Sequence, residues 1–288
     1  MPSPTAVSFA RNALTASTSV LRVENVDGVA VVVVQETPFH PVDHTWPDQP
    51  GDTGAIARGT DSARLGEAVM AAVSTDGTFA VGQDIPVKRG TDGWTWLVAH
   101  PLEDSIPAWL VEGAEVELSV DAERRAGLSR GHTACHLASL ALDLAVADLW
   151  RKDPGADALG TPDFEGRANQ SSRIHENGAV DEYRLGKSLR RAGFDTETFA
   201  ATVADREAAI NARLATWVAS GADSRVDVEG PTIVDRRSWH CALPEGDAVI
   251  PCGGTHATSL AEFASIRVSL DLSDPQLLVM TTTAVPAV

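Results

Sequence analysis

The chain has 288 residues, of which 43% are hydrophobic and 22% are charged, which suits one large or two ordinary globular domains. Its longest apolar run, Val29 to Val34, is far shorter than the ~20 residues of a membrane helix, and its N-terminus lacks the pattern of a signal peptide. The net charge of −17 disfavours broad nucleic-acid binding, although residues 123–288 hold 17 of the 23 basic side chains.

Three Asp-Gly pairs divide the first part of the chain into short strands. Asp27-Gly28 separates Val20–Val26 from Val29–Val34, and the same dipeptide recurs at residues 76–77 and 92–93. Asp-Gly between strand-like runs is a strong hairpin signal. Short strands with regular turn signals are typical of a small barrel or sandwich. We therefore predict a small β-barrel domain over residues 1–121.

A polar, proline-rich loop from Thr37 to Gly54 interrupts this strand pattern. His40 and His44 lie four residues apart in it, but Pro41 and Pro47 argue against a helix. The two imidazoles are therefore not expected to form a metal-binding pair. They are either solvated or hydrogen-bonded loop histidines, or side chains that face a substrate.

The second part of the chain begins with a predicted helix that extends to about Trp150. It contains His132 and His136, and residues four apart on a helix share one face, with Cβ atoms roughly 5–6 Å apart. Two imidazoles so placed can share one metal ion. Taken alone, the pattern is also compatible with two histidines that bind no metal.

Four basic side chains then follow at near-helical spacing, namely Arg184, Lys187, Arg190 and Arg191. We call them the basic stripe. Two interpretations stay open for it. It is either the solvated face of a helix or a surface that contacts the phosphates of a nucleic acid.

An amphipathic helix is predicted from Asp195 or Thr196 to about Gly221, because Phe199, Ile210 and other apolar residues recur with helical periodicity. Strand-like segments follow between residues 226 and 282. This order predicts an α+β fold for residues 122–288, with helices packed on an antiparallel sheet.

The last of the motifs is Cys252-Gly-Gly-Thr-His256. Its thiolate and its imidazole are ligand types that zinc prefers, and its two glycines allow the backbone to turn tightly. Together with His132 and His136 they make four ligands, the number of a tetrahedral site. We therefore predict a Zn²⁺ site formed by His132, His136, Cys252 and His256.

The two motifs together resemble those of the alanyl-tRNA synthetase editing domain and its free-standing AlaX-type relatives, a family related to the editing-like domain of threonyl-tRNA synthetase. The resemblance covers roughly residues 123–288. It implies a zinc-dependent hydrolase that deacylates mischarged aminoacyl-tRNA in trans and so maintains the fidelity of translation.

Ester hydrolysis suggests roles for three residues beside the metal ligands. Gly253 and Gly254 can offer backbone N–H groups to the developing oxyanion. Thr133 can hydrogen-bond a water molecule or the substrate, or it can cap the helix. The metal can activate water and the carbonyl, or it can hold and orient the substrate. The sequence does not separate these alternatives.

The loop departs from the family pattern, which carries a run of glycines before Gln-Pro-x-Asp-x-Gly. Gln49–Gly54 fits this pattern, but His44-Thr-Trp-Pro-Asp48 replaces the glycines. We predict that His44, Asp48 and Gln49 contact the substrate. Serine or glycine on tRNA(Ala) is the usual substrate of the family. A threonine-like residue is the alternative here, including fluorothreonine, for which the family has a deacylase branch.

The predicted partner is therefore aminoacyl-tRNA, contacted in part by the basic stripe, with no DNA and no membrane. We expect a cytoplasmic protein, and its oligomeric state stays open. Two other classes of function are also compatible with the sequence. One is a zinc-dependent hydrolase of a small ester or amide without tRNA, which the acidic composition favours. The other is a binding module with a structural zinc.

Overall fold

A computed structural model describes residues 3–287. The chain folds into two compact units. The first unit contains the described residues up to Arg125 together with Val226–Arg237 and Gly253–Thr255. The second contains Ala126–Arg225, Ser238–Cys252 and the described residues from His256 onward. Helices and antiparallel sheets are both present, which confirms the α+β class. The assignment of residues 1–121 and 122–288 to separate domains stays a prediction.

The first unit consists mainly of strands. They are β1 (Ala6–Val7), β2 (Thr15–Val26), β3 (Val29–Val34), β4 (Glu36–Thr37), β5 (Gly54–Arg58), β6 (Asp61–Leu65), β7 (Val69–Ser74), β8 (Phe79–Val81), β9 (Trp94–Pro101) and β10 (Glu115–Val120). Eight of them form one sheet in the order β6-β5-β10-β2-β3-β9-β7-β8, and β1 pairs with β4. The late segment 226–237 belongs to this unit, where the Val7 N–H donates to the Pro231 carbonyl oxygen at 2.8 Å.

The predicted barrel is not closed in the part of the chain that the structure describes. β6 and β8 are the two edges of the eight-stranded sheet. Near one edge, Leu65 and Leu102 form an isolated bridge, and the Gly66 N–H donates to the Pro101 carbonyl oxygen at 2.8 Å. These contacts reach the end of β9, an interior strand, and not β8, so in the described residues no ladder joins the two edges. The short antiparallel strands are as predicted, whereas the closed barrel is wrong.

The Asp-Gly turns explain two of the hairpins. Asp27 and Gly28 have φ values of 50° and 86°, the left-handed pair that a two-residue turn requires, and they join the antiparallel strands β2 and β3. Asp76-Gly77 likewise lies between β7 and β8. The pair at residues 92–93 makes no hairpin, because β9 is hydrogen-bonded to β3 and β7 rather than to β8, the strand before it.

The second unit combines helices and sheets. Its elements are α1 (Ala122–Ala145, which begins in the first unit), α2 (Glu165–Ala168), β11 (Asn169–His175), β12 (Gly178–Arg184), α3 (Lys187–Ala192), α4 (Thr196–Ser220), β13 (Ser224–Val228, which ends in the first unit), β14 (Arg237–Leu243, whose first residue belongs to the first unit), β15 (Gly246–Pro251), β16 (Phe263–Asp274) and β17 (Leu277–Pro286). One sheet has the antiparallel order β11-β12-β17-β16, and β14 pairs antiparallel with β15.

Helix α4 begins and ends where the sequence predicts. The Asp195 carboxylate accepts the N–H of Thr198 at 3.1 Å as an N-cap, and Gly221 ends the helix with a φ of 61°. Phe199 and Trp217 are fully buried in the core of the second unit. Burial of such side chains stabilises the helix by roughly 1.5–3 kcal/mol each relative to exposure.

A buried carboxyl on α1 fixes the short helix α2. The Asp143 Oδ1 atom accepts the backbone N–H groups of Phe164 and Glu165 at 3.0 and 2.9 Å. Burial raises the pKa of Asp143 to about 9. In an unfolded chain the same group titrates near pH ~3.9. Folding therefore takes up a proton at this side chain throughout the neutral range.

We expect Asp143→Asn to flatten the dependence of stability on pH. The contribution of Asp143 to the free energy of unfolding is fully present below about pH 4 and is lost as the pH rises toward 9, by at most about 1.4 kcal/mol per pH unit. Asparagine keeps an oxygen acceptor and does not titrate. Urea unfolding at about pH 6 and about pH 9 measures the slope, with Asp205→Asn, an exposed site on α4, as control. An unchanged slope in Asp143→Asn would show that Asp143 is ionised in the folded protein.

Candidate metal centre

Close packing fixes the part of α1 that precedes its histidines. At Gly131 a Cβ atom would overlap the carbonyl oxygens of His175 and Gly178, so only glycine allows the helix to approach the turn between β11 and β12 this closely. The Arg130 Nε atom donates to the Asn177 Oδ1 atom of the same turn at 2.7 Å. These contacts set the position of the helical turn that begins at the next residue, His132.

The structure brings the four predicted metal ligands together. His132 and His136 extend from one face of α1, and Cys252 and His256 lie in the segment after β15. One ligand atom from each lies within 4.8 Å of the others. The Cys252 Sγ atom is 3.4 Å from His132 Nε2 and 3.3 Å from His256 Nε2. Ligands of one tetrahedral zinc ion lie roughly 3.3–3.7 Å apart, so these separations suit a shared ion.

The surroundings of His136 give an independent test of whether these residues fit a metal ion. Its Nε2 atom is buried and makes no hydrogen bond to any residue that the structure describes. Burial also lowers the pKa of His136 to about 4, so the ring is neutral near pH 7 and keeps a lone pair for a metal. A buried polar nitrogen without a partner is costly, and an ion would satisfy it. Three imidazoles and one thiol are a donor set that zinc prefers. The residues therefore fit a metal ion.

A tryptophan that the sequence analysis did not single out forms one wall of this cluster. The Trp239 ring centroid lies 5.1 Å from that of His136 and 5.5 Å from that of His256. Trp239 is fully buried on β14, and its Nε1 atom donates to the Ser224 Oγ atom at 2.7 Å. The alternation of buried residues along β14 predicts an inward side chain here, but it does not indicate a neighbouring histidine.

Thr133 contacts a ligand residue rather than solvent. The side chain is fully buried in the interior of α1, so the helix-cap interpretation is wrong. Its Oγ1 atom lies 3.3 Å from His256 Nδ1 and accepts the Ala257 N–H at 3.0 Å. The Nε2 atom of His256 faces Cys252. A His256 ring that binds a metal ion through Nε2 carries its proton on Nδ1, and this N–H can donate to the Thr133 hydroxyl. Thr133 thereby orients the His256 ring.

We expect Thr133→Val to weaken zinc binding about 10–100-fold, because the ring of His256 loses the partner that holds its tautomer and orientation. Thr133→Ser keeps the hydroxyl and should bind zinc nearly as tightly as the wild type. Competition with a chromophoric chelator measures the affinity. Thr216→Val, an exposed threonine on α4, is the matched control. Equal affinities of Thr133→Val and the control would leave Thr133 with a packing role only.

The two glycines of the second motif differ in their surroundings. Gly253 is exposed, and a Cβ atom there would meet no atom of residues 3–287 within 4 Å, so crowding by these residues does not require glycine. Gly254 is buried. The oxyanion role of their N–H groups stays a prediction.

The predicted substrate-contacting residues of the loop lie in the first unit. The His44 side chain is 3% exposed, its Nε2 atom lies 3.0 Å from the Val87 carbonyl oxygen, and its ring is 5.3 Å from that of Trp96. The Asp48 Oδ1 atom accepts the N–H of Gln49 at 2.8 Å. Gln49 itself is buried and bonds to Thr255. Substrate contact by these side chains stays a prediction.

The basic stripe lies in the second unit and is not a single helical face. Arg184 is the last residue of β12, whereas Lys187, Arg190 and Arg191 belong to α3, so near-helical spacing does not extend to Arg184. All four side chains are exposed. The Lys152 Nζ atom donates to the Arg191 carbonyl oxygen at 3.1 Å and adds a fifth cation to this surface.

Fold and site together define an α+β protein with a His₃Cys cluster that can hold a metal ion. The sequence is similar to the alanine–tRNA ligase of Methanopyrus kandleri, with 27% identity over 248 residues. This match covers 84% of the chain and 22% of the ligase, so the chain spans about a fifth of the length of that relative. The chain matches no protein-family profile. In the described residues, no helix is long and apolar enough to cross a membrane.

Proposed function

We propose that this protein is a zinc-dependent deacylase that hydrolyses the ester bond of mischarged aminoacyl-tRNA. The convergence of His132, His136, Cys252 and His256 is the observation that carries the proposal. The similarity to an alanine–tRNA ligase supports the substrate class. Both observations are compatible with a protein that acts in trans, on tRNA that a separate synthetase has charged.

The proposed reaction uses the chain in three ways. The His₃Cys cluster holds the ion, which supplies Lewis-acid activation of the ester carbonyl and of water when bound. Thr133 keeps the His256 ring in the ligating tautomer. The N–H groups of Gly253 and Gly254 stabilise the oxyanion of the tetrahedral intermediate. Cys252 is the partly exposed cysteine of the site and would be the one thiolate among the four ligands of the ion.

We assign tRNA binding in part to the basic stripe. Reversing the charges of Arg184, Lys187, Arg190 and Arg191 together should weaken binding and lower the log–log salt slope by about 0.7–0.9 for each phosphate that is no longer neutralised. Binding of charged tRNA across a salt series measures both quantities. The control reverses the exposed Arg58, Arg64, Arg173 and Arg267, which changes the net charge equally. Equal slopes in the two variants would identify the stripe as a solvated face.

The deciding experiment is a deacylation screen of the zinc-loaded protein. Its substrates are tRNA(Ala) charged with serine, glycine or alanine, and tRNA(Thr) charged with threonine or fluorothreonine. We expect rapid hydrolysis of at least one noncognate ester, little hydrolysis of cognate alanyl-tRNA(Ala), and loss of activity after zinc removal. Hydrolysis of none of these esters would overturn the proposal.

One observation favours a second candidate, a zinc-dependent hydrolase of small esters or amides. The net charge of −17 is unusual for a protein that binds polyanions. A chromogenic ester assay with bulk tRNA as competitor separates the two functions. Inhibition by tRNA at micromolar concentrations would favour the deacylase, and indifference to tRNA would favour the small-ester hydrolase.

A further inference from the structure

Gln49 and Thr255 form a buried reciprocal pair inside the first unit. The Gln49 Nε2 atom donates to the Thr255 Oγ1 atom at 2.9 Å, and the Thr255 N–H donates to the Gln49 Oε1 atom at 3.1 Å. Each residue is 1% exposed. Both ends of the glutamine amide therefore bond to the same residue, 206 positions away in sequence. Breaking such a pair leaves buried polar groups without partners.

Thr255 lies directly before His256 and three residues after Cys252. Its backbone N–H is one of the two groups that Gln49 holds, so the bond restrains the main chain and not only a side chain. A restraint on the backbone between two ligands limits the positions that both ligand side chains can reach. Gln49 thus acts on the metal ligands through the covalent chain.

The segment that carries Gln49 is itself immobilised. The fully buried Asp52 carboxylate accepts the His40 N–H at 2.5 Å and pairs with the Arg125 guanidinium, whose Nε atom lies 2.8 Å from Asp52 Oδ1. At Gly51 a Cβ atom would overlap the backbone of Ala68, so the segment has no lateral room. Such a segment can serve as a fixed anchor.

The same segment also restrains the other ligand-bearing stretch. Arg125 belongs to α1, two helical turns before His132. Its pairing with Asp52 therefore fixes the start of the helix that carries His132 and His136. Gln49 and Asp52, three positions apart, thus bond to residues that adjoin the two pairs of predicted ligands along the chain.

We infer that Gln49 is a positioning residue for the metal site, which holds the backbone between Cys252 and His256 through Thr255. The inference rests on the metal site of the proposed function. It gives Gln49 a role beside the predicted contact with the substrate, since each polar end of its side chain makes a hydrogen bond to Thr255. The loop then has two parts, with residues 43–48 available for selectivity and residues 49–52 committed to the metal ligands.

The test compares metal affinity in Gln49→Met, Thr255→Val, the double variant and the wild type. Gln49→Met removes both hydrogen bonds and should weaken zinc binding about tenfold or more, in the range seen for outer-shell partners. Thr255→Val removes one bond and should have a smaller effect. Because both substitutions disrupt the same Gln49–Thr255 pair, the double variant should bind zinc no more weakly than Gln49→Met alone. Thr255→Ser keeps the hydroxyl and should bind zinc nearly as tightly as the wild type, in contrast to Thr255→Val.

Cobalt substitution supplies a readout that a purely structural role would not move. The thiolate-to-cobalt absorption band should weaken in Gln49→Met as Cys252 shifts from the ion, and it should persist in Gln83→Met, an exposed control in the same unit. Circular dichroism of the metal-free proteins verifies folding, and Thr255→Val replaces Gln49→Met if the latter does not fold.

Zinc affinity of the folded variants within about twofold of the control, or additive losses in the double variant, would overturn the inference. Tight zinc binding that depends on Gln49, without deacylation of any charged tRNA, would overturn the proposed substrate and support the positioning role. The two failures are therefore distinguishable.

Discussion

Purified His136→Ala should contain less than about a tenth of the zinc of the wild-type protein and should lose deacylation by at least about 100-fold. His136 offers the metal a buried, neutral nitrogen that makes no hydrogen bond within the described chain. Its replacement by alanine therefore removes one metal ligand without breaking a hydrogen bond of Nε2 to another described residue. Metal analysis by mass spectrometry and single-turnover deacylation measure the two effects.

His175→Ala is the matched control for this experiment, because His175 is an exposed histidine of the same unit outside the cluster. It should keep its zinc. Full zinc occupancy and unchanged activity in His136→Ala would refute the assignment of the metal site. Zinc loss with unchanged activity would refute the metal-dependent mechanism and leave the site assignment intact.

Replacing residues 43–48 with a glycine-rich segment should change the ratio of kcat/KM for seryl- and threonyl-type substrates while the zinc content stays the same. A site that bonds a particular hydroxyl can reject an analogue without it by ~10⁴-fold, whereas one methylene gives only about 10–200-fold. The segment offers such groups, and its backbone is ordered because the Asp43 Oδ1 atom accepts the N–H groups of Thr45 and Trp46 at 2.8 and 3.1 Å.

The glycine-rich replacement also deletes the buried ring of His44, which packs against Trp96. Two single variants therefore separate selectivity from this loss of packing. Trp46→Gly and Asp48→Ala leave that packing in place, and Trp46 is 50% exposed. A shift of the ratio in either one would locate selectivity within the segment. If every variant lowers both activities equally, selectivity lies outside residues 43–48.

Features that depend on residues close together in the sequence, such as helix ends and tight turns, could be predicted from the sequence. The carboxylate at Asp195 and the glycine at position 221 set the ends of α4, and Asp27-Gly28 sets a hairpin. The cluster of His132, His136, Cys252 and His256 was predictable because i,i+4 spacing on a helix and a Cys/His pair each leave a local pattern.

Long-range pairings leave no such pattern. Asp52 pairs with Arg125 across 73 positions, and Gln49 meets Thr255 across 206. The motifs Gln49–Gly54 and Cys252–His256 are recognisable in the sequence, but neither motif indicates which distant residue it bonds to. The open edge of the eight-stranded sheet was likewise unpredictable, because closure depends on whether two distant strands pair and not on the turns between neighbours.

The composition of the first unit has a consequence for biosynthesis. Strand β1 bonds to the segment around Pro231, and Gln49 bonds to Thr255, so the unit lacks native partners until these late segments have left the ribosome. N-terminal domains usually fold first during synthesis. We therefore expect the first unit to complete its native contacts only after more than a hundred further residues are translated, with unpaired strand edges until then.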